Sequence, residues 1–170
     1  MKMAAPDSFG PLRTFILAHT ALPEVILGFG PGNRPSLPYG TLHLTSARST
    51  NRPEQRTLYD DEPAGVASEA REEPGTEWEL VWQFDVFGDG AQDVFTALNA
   101  ARYVPTARQG LLPYSIEGMS GIRFLPEIID NHYEDRANVD ITLRAVVHHD
   151  TPIDLIETRT DPVVTPKYGD

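Results

Sequence analysis

The stretch from Trp78 to Phe87, WELVWQFDVF, constrains this chain more than any other. Trp78, Leu80, Trp82, Phe84 and Val86 alternate with Glu79, Val81, Gln83, Asp85 and Phe87, the period-two pattern of a strand with one heavily buried face. Five large apolar side chains on one face demand a facing layer, so they mark the core. Directly after them, Gly88-Asp89-Gly90 breaks the pattern, and Val94, Ala97, Leu98, Ala101 and Val104 recur at helical spacing. The spacing predicts a helix that starts at an Asp89 cap and stops at Pro105.

A second strand of the same kind lies further on, where Val139, Ile141, Leu143, Ala145 and Val147 share one face. Nearer the start, Tyr39 to Ser46 reads as a strand with Leu42 and Leu44 inward. A first helix is expected to be capped by Asp7 or Ser8, with Pro11 in its first turn, and Leu12, Phe15, Ile16 and His19 on one side. Pro23 ends it. Val25 to Leu27 is short and β-prone, and Gly28 to Pro35 is turn chemistry. Gly110 to Tyr114 reads as a turn, Ile122 to Leu125 as a short strand, and Ile153 to Thr158 as an edge strand in an extended, Pro-rich tail whose end is 159–170.

Strands flanking two isolated helices without regular alternation favour an α+β fold: a mainly antiparallel sheet with both helices packed on one face. At 170 residues and 40% hydrophobic, the chain supports one ordinary core, and a single domain over 1–170 is expected. Between Ala47 and Thr76 the apolar periodicity vanishes, leaving a long acidic loop or hairpin. Segments of that kind inside compact domains are often binding elements. Its acidic runs, Asp60, Asp61 and Glu62 with Glu72 and Glu73, are therefore the candidate subunit or partner contacts.

Charge narrows the function. Fourteen basic against twenty-five acidic residues give −11, which opposes non-specific attraction to nucleic acid or anionic lipid. With no cysteine there is no disulfide, thiolate metal site or Cys nucleophile. The N-terminal segment carries no apolar run of a signal peptide, and no stretch approaches the roughly 18 apolar residues of a membrane span. The protein is expected to be soluble and unprocessed.

Signatures of chemistry are weak. Gly88-Asp89-Gly90 lacks the third glycine of a dinucleotide fingerprint and the Lys-Ser/Thr of a P-loop, and reads as a turn with a capping Asp. His132, Glu134 and His148 or His149 form the one grouping from which a metal-assisted hydrolase could be built, but their spacing fits no named motif. No Gly-x-Ser-x-Gly occurs, and Ser115 sits in a turn context. The reading is of a non-enzyme without a cofactor or metal.

Short motifs in order carry a resemblance. Val25-Ile26-Leu27, Asn33-Arg34-Pro35, Pro38-Tyr39-Gly40-Thr41-Leu42, Gln83-Phe84-Asp85-Val86-Phe87-Gly88 and Tyr133-Glu134-Asp135-Arg136 resemble the neck or tail terminator family of tailed phages and prophages. The resemblance implies a virion component, assembled in the host cytoplasm, that forms a hexameric ring on the end of the tail tube. It also implies contact with tail tube protein and the head connector or neck proteins, and a channel through which DNA passes without specific binding. The family carries no catalytic residues. A different neck or tube ring of the same virus is the structural alternative, and the metal-assisted hydrolase the enzymatic one.

Overall fold

A computed structural model describes residues 5–28, 34–59, 70–125, 127–129, 132–148 and 151–152. The elements run in the order α1 (Phe9–His19), β1 (Val25–Leu27), β2 (Tyr39–Tyr59), β3 (Ala70–Phe87), α2 (Ala91–Ala101), α3 (Pro105–Gln109), β4 (Tyr114–Met119), β5 (Arg123–Phe124), β6 (Glu127–Ile129), β7 (His132–Glu134), β8 (Arg136–His148) and β9 (Thr151–Pro152). The fold is α+β. Its main sheet has the order β1-β2-β3-β8-β4, with β5 added to β8 and β9 to β3, while β6 and β7 form a separate hairpin. β1 pairs in parallel with β2, Val25 to Leu27 beside Gly40 to Leu42, while β4 and β5 both run antiparallel to β8.

The chain divides into two units, Met1–Pro53 with Thr76–Val147, and Glu54–Gly75 with His148–Asp170. In the first, the core face of β3 follows the alternation: Trp78, Leu80, Trp82, Phe84 and Val86 are buried with Val139, Ile141 and Leu143 of β8. Leu12, Phe15 and Ile16 of α1 and Val94, Phe95 and Leu98 of α2 close this layer, with the Phe84 and Phe95 rings edge to face at 5.7 Å. On the opposite face, Arg48 pairs with Glu79, and Arg144 with Glu77 and Glu117. These cross-strand pairs suit a wet face, where solvent screening leaves each little to contribute.

In the second unit, β2 and β3 continue through much of the acidic segment, and β9 pairs antiparallel with β3 at Glu72–Thr151 and Arg71–Pro152. Of the two forms open to residues 47–76, strand is what the described part adopts. Asp60, Asp61 and Glu62, and the edge strand expected at 153–158 with the tail beyond it, lie outside the described residues.

Three expectations need correction. Leu44 is 43% exposed, not core. It shares a face with buried Leu42, but burial along β2 ends there, and residues 44–49 are exposed. Asp89 does not cap α2; the N-cap is Gly90, in a left-handed conformation with φ 86°, and no side chain caps the helix. The chain must turn sharply between strand and helix, and the left-handed residue that makes the turn displaces the acid by one position. Asp89→Ala is thus expected to change stability by less than about 0.5 kcal/mol, where a true cap would cost about 1; urea unfolding measures the difference. Finally, Pro105 opens α3 instead of only closing α2, occupying the first turn where its missing N–H costs nothing, and this turns Val104 out to solvent.

Candidate functional site

The motifs that order the sequence converge at the end of β3. Gln83 and Asp85 point away from the core face, yet Asp85 is completely buried, because β8 lays Arg136 and Asn138 over it. Arg136 donates to Asp85 Oδ1 from Nε at 3.2 Å and from its terminal nitrogen at 3.1 Å. Asn138 Nδ2 donates to the same oxygen at 3.2 Å, and Gln83 Nε2 reaches Oδ2 at 3.0 Å. A carboxylate taken out of water is tolerated only with such a complete set of donors.

Phe87 ends the strand as the centre of a cationic and aromatic stack. Its ring lies parallel to that of Tyr39, 4.9 Å between centroids and 9° between planes. The guanidiniums of Arg136 and Arg34 stand 5.0 and 5.5 Å from its centre, and Arg34 Nε donates to the Tyr39 hydroxyl at 2.8 Å. Arg34, Tyr39, Asp85, Phe87 and Arg136, drawn from motifs up to a hundred residues apart, thus form one constellation.

The Gly88-Asp89-Gly90 joint is clamped beside it. Gly88, at φ 92°, donates its N–H to the Asp135 carbonyl at 2.8 Å, and a Cβ there would sit 3.3 Å from Pro38 Cα. Gly88→Ala therefore meets both a disfavoured conformation and a backbone atom, and is expected to cost about 1–2 kcal/mol, read as a lowered urea midpoint. Asp89→Ala, one residue on, serves as the contrast.

Between this joint and β8 opens a cleft of about 430 Å³, lined by Gly90, Gln92, Asp93, Phe124, Asp135 and Arg136 among others. The lining offers carboxylates, a guanidinium and an exposed phenyl ring, and among the described residues no Ser, Thr, Cys, His or Lys. The joint, expected only to turn the chain, also forms one wall of this cleft.

None of the other described residues singled out from the sequence is among those lining the cleft. His132 and Glu134 fall on β7 and His148 ends β8, all three described by their backbone only, and His149 lies outside the described residues. Among the described residues no three His, Cys, Asp or Glu side chains come together as a metal site. Ser115 lies on β4, opposite Arg144 of β8, and not in a turn. Glu72 and Glu73 fall on β3. No helix of the described residues is long and apolar enough to cross a membrane.

The shared motifs thus build a buried ion pair on an α+β sheet and, beside it, an open cleft walled by the strand-to-helix joint and the start of β8. Over residues 9–166 the chain matches the phage neck terminator protein family, and it belongs to that family. Its place is in the virion neck, in contact with other neck and tail proteins. No curated relative matches the chain closely enough to compare.

Proposed function

We propose that this protein is a tail terminator: a ring, hexameric by preference, that caps the completed tail tube and joins it to the head connector. The observation that carries the reading is the family match across nearly the whole chain, with the Asp85 and Phe87 constellation assembled from the motifs of the resemblance. Ring closure from identical subunits requires head-to-tail contacts, so two different surfaces of one copy must complement each other. The acidic segment, with Asp60, Asp61, Glu62, Glu72 and Glu73, supplies contact with a neighbouring subunit or virion protein.

Charge fits the role. Six copies at −11 each carry about −66 formal charges, and whatever share faces the channel repels DNA in transit. The protein positions and does not catalyse.

Multi-angle light scattering of the purified chain, with and without tail tubes, tests the assignment. A ring that binds tube ends and blocks their further growth is expected. A ring incorporated along the tube, or one that binds only head connectors, would reassign it within the neck. A monomer indifferent to tubes that carries stoichiometric metal would overturn the reading in favour of the hydrolase.

A further inference from the structure

Resting on the ring reading, we infer that the two ends of α2 form the subunit contact: the α2–α3 corner of one copy docks into the cleft at the α2 N-terminus of the next. The two ends differ in charge. From Val94 to Ile116 the chain carries Arg102 and Arg108 and no acid. At the corner these arginines sit with Tyr103, Val104 and Leu112, which are 67%, 45% and 70% exposed.

The corner is also incompletely satisfied. Arg102 lies 4.6 Å from the Tyr103 ring centre and donates to its hydroxyl, while its Nε is buried without an acceptor. Neither Arg102 nor Arg108 has an acidic partner among the described residues. Exposed aromatic and aliphatic side chains beside arginines that lack an acidic partner have the composition of an interface.

The opposite end supplies what the corner lacks. Asp89, Asp93 and Asp135 are exposed around the cleft, likewise without a basic partner among the described residues. Exposed Phe124 and Leu125, with Leu37 beside Gly88, add apolar surface. An acidic, apolar-rimmed cleft at one end and a basic, apolar knob at the other are complementary, and they lie about 16 Å of helix apart. Because the surfaces are different and belong to one chain, the contact is heterologous, as closing a ring requires. Like charges at each end disfavour head-to-head pairing.

Charge reversal tests the contact by light scattering of the full chain at 0.15 M salt, with tail tubes added in parallel. Asp93→Arg and Arg108→Glu each alter an exposed, unpaired side chain, and their thermal melts should match the parent. Each variant alone should self-associate at least about tenfold more weakly, and Leu112→Asp should do the same through the apolar component. An equimolar mixture of the two reversals should regain rings, since alternating copies meet either two original or two exchanged charges. Rings that form normally from either reversal, or a mixture that stays dissociated, overturn this contact and leave the terminator reading standing. Rings that form but no longer bind tubes assign the α2 ends to the tube protein, which also overturns it. If the parent makes no ring with or without tubes, the terminator reading itself falls, and the contact with it.

Discussion

Replacing Asp85 with alanine is expected to destabilise the protein by about 3–5 kcal/mol, because it strands Arg136 and Asn138 beside a buried site that has lost its charge. For a chain of this length that corresponds to roughly 2–4 °C of melting temperature per kcal/mol. The loss comes from abandoning a partner, not from the worth of the pair. Asp85 has no exposed surface, while the Arg136 side chain keeps 27% of its own, so the carboxylate is the more heavily desolvated member. A double change of Asp85→Leu with Arg136→Met removes both charges and should therefore recover much of the loss. Ring assembly separates the two explanations for keeping the pair. If the double variant folds well yet fails to assemble, the ion pair serves to aim Arg136 at Phe87 and the cleft; an Asp85→Ala variant within 1 kcal/mol of the parent would refute the buried network altogether.

That network shows why some of the structure was legible and some was not. The cores of β3 and β8 could be read directly, since large apolar residues at period two leave one arrangement that buries them. Asp85 sits at a position that the same period assigns to solvent. Its burial depends on Arg136 and Asn138 arriving from a strand more than fifty residues later, and no local pattern encodes that pairing. Leu44 failed for the matching reason: alternation names a face but not how far burial extends along it. The distal parts of β2 and β3 carry polar residues on successive positions, so they present no hydrophobic period at all, and β4 was lost among the turn residues before it. The cleft was hidden because its walls come from a glycine joint, a two-residue strand and the start of β8.

Trp82→Ala is expected to match the Asp85 loss, about 3–5 kcal/mol, through a different cause. Its ring is buried in the core layer with that of Phe9 at 6.2 Å, and its indole N–H donates to the hydroxyl of Ser8 at 2.9 Å. That bond also explains a detail of α1. Ser8 occupies the N-cap position without making a cap bond, since its oxygen is turned inward to the indole, and Asp7 instead accepts the Phe9 N–H at 3.2 Å. The Tyr114 hydroxyl donates to the Asp7 carbonyl at 2.8 Å, and burial together with nearby Asp7 raises that phenol above its ordinary value. The start of α1 is thus held by tertiary bonds to β3 and β4 together with the local bond from the Asp7 side chain. Trp82→Phe, keeping most of the ring but freeing Ser8, should cost about 1–2 kcal/mol, and Ser8→Ala about 1. In a double-mutant cycle the two should be clearly non-additive. Urea unfolding of Trp82→Ala, Trp82→Phe, Ser8→Ala and the Phe/Ala pair measures all four, and additive losses would show that the indole and the serine do not act together.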